Sequence, residues 1–191
     1  VKTMISNFLE IKGSLYKTDR NFPSMKATSM ASPYLNTGVV SSKWCLNQSR
    51  NNNYDALDEG DKGIVHWVSE ILWREFYRHI IFNNPRVSKG KPFQMRYENI
   101  PWENNSAFIE AWKEGRTGIP IVDAGIRQMI DTGWMHNRLR MIVAMFLSKN
   151  LLVDWRIGEA FFMKHLIDGD IASNNGGWQW SASTGTDAAP Y

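Results

Sequence analysis

The stretch IVHWVSEILWREFYRHIIF, Ile64 to Phe82, decides the fold class. Its apolar residues Ile64, Val68, Ile71, Leu72 and Phe82 share one side of a helical wheel, while Trp67, Glu70 and Arg74 fall together on another. That pattern predicts a helix with a core-facing stripe and a second face that is both aromatic and charged. The same period continues downstream. Ser106 to Glu114 reads as a short helix stopped near Gly115, and Pro120 opens a helix running to about Asp131. In Trp134 to Asn150, Leu139, Ile142, Val143 and Phe146 face a core, with His136, Asn137, Arg140, Met141 and Ala144 opposite. A further helix spans about Trp155 to Leu166. Between these lie a connector, Ser88 to Asn105, carrying Gly90, Pro92 and Pro101, and a polar loop, NQSRNNN, Asn47 to Asn53. The segment IDGDIASNNGGWQWSASTGTDAAP, Ile167 to Pro190, is poor in helix formers and predicts irregular backbone. No alternating strand run occurs in the sequence, so the expected fold is all-α with long functional loops.

Composition narrows the function classes. With 191 residues, 43% of them hydrophobic, the chain can bury one sizeable core, and a single domain over residues 1–191 is expected. The charge of +3 and a pI near 9.0 suit an anionic partner, and a surplus this small is equally common where no nucleic acid is involved. Cys45 stands alone and His66, His79, His136 and His165 have no metal-site spacing with it, so neither a disulfide framework nor a metal centre is expected. A soluble protein of a reducing cytoplasm is the setting this implies. The longest apolar run, Met141 to Leu147, is far short of the roughly 20 residues a membrane helix needs. The chain starts at Val1 without a signal-peptide pattern and stops after Ala188, Ala189, Pro190 and Tyr191 without a helix cap, so truncation at both ends is expected.

Nine tryptophans are many for this length. Core packing is the ordinary explanation for any one of them. Trp178 and Trp180 are placed differently: they flank Gln179 directly after Asn174, Asn175, Gly176 and Gly177, where glycines admit close approach of a flat ligand.

Three long strings carry a resemblance: LWREFYRH (Leu72 to His79), TGWMHNRLRM (Thr132 to Met141) and DGDIASNNGGWQWSASTGTDAAPY (Asp168 to Tyr191). With YKTDRNFP (Tyr16 to Pro23), TSMAS (Thr28 to Ser32) and GIPIVDAGIRQ (Gly118 to Gln128), they resemble the flavin domain of the photolyase and cryptochrome family, and most nearly its bacterial members that repair cyclobutane pyrimidine dimers. The resemblance implies a multi-helix domain that binds FAD and a lyase that, in light, passes one electron from reduced flavin to a dimer extruded from DNA; base flipping of this kind is general to enzymes acting on a stacked base. It also implies an N-terminal antenna domain and final C-terminal helices that are not in this sequence, and a monomer.

Site residues follow by resemblance. Tyr16, Thr28, Ser29 and Ser32 would face the FAD phosphates, although Thr and Ser also cap helices. Trp67, Glu70 and Arg74 resemble the flavin-contacting helix face, and Glu70 and Arg74 are also spaced for an ordinary i, i+4 ion pair. Asn137, Arg140, Asp168 and Asp170 would grip the isoalloxazine, with Arg140 paired to Asp168. Two carboxylates one residue apart also suit a cation, but the further oxygen ligands are missing. Asn174 would sit at flavin N5; its ordinary alternative is a turn. Trp73 and Trp180 resemble the aromatic walls around the dimer, with Glu70, Asn137 and Met141 lining the same pocket and Arg20 and Arg138 offered to phosphates. Members that repair the six-four photoproduct carry histidine at the position of Asn137 and usually at that of Met141, so these two residues point to the cyclobutane dimer. Trp102, Trp155 and Trp178 resemble the relay that carries electrons inward to oxidised flavin. TSMAS departs from the bacterial pattern, with Met30 and Ala31 where Arg and Leu are frequent.

Overall fold

The computed structural model describes residues 1–186, which contain helices and turns and no strand. Packing gathers the chain into two compact units, Val1–Phe76 and Tyr77–Tyr191, with the boundary inside a long helix.

The first unit comprises α1 (Lys2–Lys12), α2 (Tyr16–Asp19), α3 (Ser32–Asn36), α4 (Ser42–Asn51) and the N-terminal part of α5 (Lys62–Asn83). Its core joins Ile5, Phe8 and Leu9 of α1 to Tyr16, Val40, Cys45, Ile64, Trp67 and Ile71. Both longer helices after α1 begin on side-chain caps, which supply acceptors for otherwise unpaired N–H groups. Ser41 Oγ accepts from Trp44 N, and Asp61 Oδ1 accepts from Gly63 N and Ile64 N at 2.8 and 3.1 Å. The polar run from Asn47 is not a loop: through Asn51 it is the end of α4, since the Ser41 cap fixes its first turn and Cys45 anchors its inner face. Asn53 is the residue that makes the turn. Its amide donates to Ala56 O and Glu59 O and its oxygen accepts from Asp61 N at 2.7 Å. In α5 the stripe is narrower than expected. Ile64, Val68 and Ile71 are buried along with Trp67, whereas Leu72 and Phe82 are 55% and 82% exposed.

The second unit continues through 3-10 turns at Pro85–Lys89 and Met95–Tyr97 to α6 (Ser106–Lys113), α7 (Pro120–Thr132), α8 (Asn137–Met145), α9 (Trp155–His165) and α10 (Ile171–Ser181). Its core gathers Trp112, Ile126, Met129, Leu139, Val143, Leu147, Trp155, Phe162 and Trp178. α8 starts three residues later than its sequence pattern, because His136 caps it by accepting from Arg138 N, and a π-helical turn, Phe146–Asn150, extends it. His136 and Ala144, placed by the pattern opposite the core, are buried.

α10 is the main difference from the sequence reading: Ile171–Ser181 is helical despite its asparagines and glycines. Tertiary packing overrides propensity there. Asp170 caps the first turn by accepting from Ser173 N. A Cβ on Gly176 would run into the Tyr77 ring, and one on Gly158 of α9 into the Trp178 ring, so both positions require hydrogen for the close approach. No helix among the described residues is long and apolar enough to cross a membrane.

Candidate functional site

In the first unit, Trp67 is buried against Phe8, ring centroids 5.8 Å apart, and donates from Nε1 to Ser29 Oγ at 3.1 Å. The indole thereby ties down the TSMAS segment. Thr28 points its hydroxyl at Met30 sulfur, Met30 holds a left-handed φ of 52°, and Ser32 opens α3. A non-glycine residue in that region is sparsely populated backbone. Tyr16 packs edge-on against Phe8 at 5.6 Å. Arg74 is held on three sides, by Glu75 Oε1 at 2.7 Å, Leu35 O at 2.9 Å and Ser42 Oγ at 3.5 Å. The i, i+4 pair with Glu70 is therefore not the one formed. Glu70 is instead bonded by Arg20, whose side chain lies inward, 6% exposed, and also contacts His66 Nε2 at 2.6 Å. Trp73 stands 52% exposed with its ring edge-on to Phe76 at 5.2 Å.

In the second unit, Asn137 is the exposed first residue of α8 and Arg138 lies 3.3 Å from Met141 sulfur. One turn along, Arg140 Nη2 reaches both oxygens of Asp168 at 3.0 and 2.8 Å, while its Nε donates to Met135 O at 2.8 Å. The Asp168 side chain is 2% exposed, so this charge pair is shielded from water on the carboxylate side. Asp170 divides its carboxylate between the α10 cap and Arg78, 3.5 Å away. Asn174 donates its amide to Glu159 O at 3.0 Å. Only the NH2 group can donate to a carbonyl, so this bond fixes which end of the amide meets Glu159 and leaves Oδ1 as its acceptor end.

Behind Asn174 runs a buried polar chain. Asn175 donates to Glu159 Oε1 at 2.7 Å and accepts from Gln179 Nε2 at 2.8 Å, and Gln179 Oε1 accepts from Phe93 N at 2.7 Å. Burial pushes the Glu159 carboxyl above its ordinary value; the Asn175 bond opposes this without cancelling it. Four residues after Asn174, Trp178 enters an aromatic cluster. Its ring lies 4.9 Å from Phe162 and 6.0 Å from Trp112, both near edge-on. Trp155 belongs to the same core, Trp102 packs against it half-buried, and Arg156 lies 4.8 Å over the Trp155 ring. Trp178 Nε1 is buried with no hydrogen-bond partner among the described residues.

A family model described as the FAD binding domain of DNA photolyase matches residues 67–191. The chain belongs to that family. A curated deoxyribodipyrimidine photo-lyase of Escherichia coli (strain K12) is 53% identical over 176 residues, covering 92% of this chain and 37% of the relative. A bacterial class III photolyase from Agrobacterium tumefaciens superposes with a TM-score of 0.91 at 39% identity, over 99% of this chain and 38% of that one. A Synechocystis cryptochrome gives 0.88 at 31% identity, over 99% and 39%. This photolyase-family domain thus spans well under half the length of these relatives.

Within the photolyase-family domain, the residues of the second unit form a legible series: Arg140 is paired to Asp168, and Asp170, Asn174 and Trp178 follow along α10. Trp180 is half-buried on the same helix, 200° round from Trp178 at about 100° per residue. Sequence reasoning missed Trp112, Phe162, Glu159, Asn175 and Gln179. Trp112 and Phe162 lie in ordinary amphipathic helices, where nothing in the periodicity separates a core ring from a functional one. Asn175 and Gln179 are spaced i, i+4, a signal available once α10 is known to be a helix. Among the described residues no group of three or more His, Cys, Asp or Glu is arranged to hold a metal.

Proposed function

We propose that this chain holds FAD and that the protein carrying it splits cyclobutane pyrimidine dimers in DNA under light. The observation that carries the reading is the Asn174 amide, its nitrogen held by Glu159 O and its oxygen left as an acceptor, one helical turn before Trp178 in its aromatic cluster. An amide oxygen whose nitrogen is already held suits a flavin nitrogen that gains and loses a proton during redox cycling. The donor set fits the cofactor elsewhere as well. Arg140, tied to buried Asp168, presents a rigid cation edge for the ring, and Ser29, Thr28 and Ser32 are small hydroxyls suited to a diphosphate. When bound, the flavin supplies the light-excited electron. The residues of the chain would bind and orient it, and Trp178, Trp155 and Trp102 would be the indoles that relay electrons toward it. Asn137 and Met141 line the lesion pocket without a side chain that gives up a proton at neutral pH, which suits dimer splitting by one electron out and one back. Exposed Trp73 supplies a stacking surface for an extruded base. We read the protein as a cytoplasmic monomer.

The similarity to a cryptochrome at TM-score 0.88 favours one second reading, a flavin photoreceptor without repair. Illuminating flavin-loaded protein with an oligonucleotide bearing a single cyclobutane dimer separates the two. Recovery of the two thymines is expected; photoreduction without recovery would select the photoreceptor.

A further inference from the structure

Trp155 opens α9 at 1% exposure, and the guanidinium of the next residue lies over its ring, with Arg156 Cζ 4.8 Å from the centroid. Neighbours in sequence do not ordinarily face one another on a helix. The contact is imposed by what holds Arg156. Its Nη1 lies 3.1 Å from each oxygen of Asp154, its Nε donates to Gly90 O, and its main-chain N donates to Asp154 Oδ1 at 3.0 Å. Asp154 is tied down in turn. Its N donates to Asn104 Oδ1 at 2.8 Å, and Glu103 N donates to Leu152 O at 2.9 Å. The chain just after Trp102 is thus fastened to the chain just before Trp155, and one polar clamp seats a fixed cation on the second of these rings.

A cation over an indole face attracts the neutral ring and repels the same ring once it has lost an electron. Arg156 therefore stabilises Trp155 at rest and raises the cost of oxidising it. The N-terminal end of α9 carries partial charge of the same sign. Asp154 opposes both, and water screens the pair, whose side chains are 28% and 21% exposed. The guanidinium is the charge seated on the ring face, so its sign prevails. Trp178, by contrast, is packed by the rings of Phe162 and Trp112, which carry no charge.

We infer that Arg156 is a positioning residue for the relay: through the Trp155 ring it sets where the missing electron rests. Each step moves one electron between neighbours. Trp178 loses one to the photoexcited oxidised flavin and regains one from Trp155, which regains one from Trp102. No bond forms or breaks in these steps and no proton moves. With a cation over it, Trp155 is passed through, and the vacancy settles on half-buried Trp102. The assignment rests on the relay reading above.

The test follows flavin-loaded protein in a Trp102→Phe background, where the vacancy stops at Trp155, by the decay of indole-radical absorption after a flash. Decay returns through Trp178, so it slows when Trp155 becomes the easier ring to oxidise. Arg156→Gln is expected to lengthen the decay about tenfold. Arg156→Lys, which keeps the charge, should stay within about threefold of the parent. Asp154→Asn, which keeps the helix cap and removes the anion, should shorten the decay. An unchanged lifetime in Arg156→Gln, equal lengthening by Gln and Lys, or lengthening by Asp154→Asn would overturn the assignment and make the contact one of packing alone. Flavin-free protein gives a second readout. There Arg156→Gln should shift the near-ultraviolet indole absorption, and the shift should vanish in a Trp155→Phe background; no shift also overturns the assignment. Should Arg156→Gln fail to fold, Asp154→Asn decides: faster decay upholds the assignment, and unchanged or slower decay overturns it. A parent that forms no indole radical after the flash would instead sink the relay reading, and this assignment with it.

Discussion

The side-chain nitrogen of Asn174 donates across 3.0 Å to the main-chain carbonyl of Glu159, joining α10 to α9 at the residue one turn before Trp178. The bond orients an amide that is half-buried and leaves its oxygen as the acceptor end. Asn174→Leu removes donor and acceptor together. Loss of the bond is expected to cost about 1–2 kcal/mol of stability. In flavin-loaded protein it should also make the flavin harder to reduce, because no acceptor meets the reduced ring. Denaturant unfolding and a potentiometric titration check the two effects.

Arg140 and Asp168 form a charge pair in which the carboxylate is closed off from water. Removing one partner leaves the other uncompensated, so Arg140→Ala and Asp168→Asn should each destabilise the fold by about 3 kcal/mol. Arg140→Lys should not rescue it, since one ammonium cannot serve both Asp168 and Met135 O at the distances found. Urea unfolding midpoints, read beside the flavin retained on purification, measure the loss.

Two acids should push stability in opposite directions with pH. Asp123 is buried, which raises its carboxyl, but the Thr117 hydroxyl and the N–H groups of Thr117 and Gly118 outweigh burial and hold it below the ordinary range. Its contribution is present above the ordinary Asp value, about 3.9, and is lost as pH falls through the lower folded value. Asp123→Asn should therefore cost about 1–2 kcal/mol at pH 7 and progressively less below pH 4. Glu159 is the reverse case. Its raised carboxyl stabilises the fold at acid pH, and that stability is lost as pH rises from the ordinary Glu value through the folded one. Glu159→Gln, which can still accept from Asn175, should be at least as stable as wild type at pH 7. Thermal melts from pH 3 to 8 test both signs.

Cys45 lies at 0% exposure, and burial pushes its thiol up to about 11, with Arg74 pulling weakly the other way. The thiolate is the reactive form, so folded protein at pH 8 should resist alkylation and become reactive only on unfolding. Mass spectrometry after iodoacetamide treatment with and without denaturant reads this directly.

Gly158 touches the Trp178 ring. Gly158→Ala forces α9 and α10 apart and should cost about 1–3 kcal/mol despite the better helix propensity of alanine. A gain in melting temperature would show that the ring yields easily.

Amphipathic period made α5, α6, α7 and α9 legible, because burying one stripe is what those helices do for the core. α10 is hidden in the sequence: its glycines and asparagines score against a helix in isolation, and the Tyr77 ring that requires a small residue at Gly176 belongs to distant sequence. The Arg140 and Asp168 pair was readable only through the motif, 28 residues separating its members. Arg20 and Glu70, 50 residues apart, were assigned separate roles because helical spacing offered Arg74 as the nearer partner. Local rules see neighbours along one helix, and these pairs are made between segments.

The measurement that bears most directly on a flavin fed through the aromatic cluster is Trp178→Phe in flavin-loaded protein, followed in two ways. Phenylalanine keeps the packing against Phe162 and Trp112 but is a poor electron donor. Blue-light reduction of the oxidised flavin should be lost, while chemically reduced protein should restore thymines from a dimer at the wild-type rate. Photoreduction that survives the substitution, or repair that disappears with it, would contradict the account.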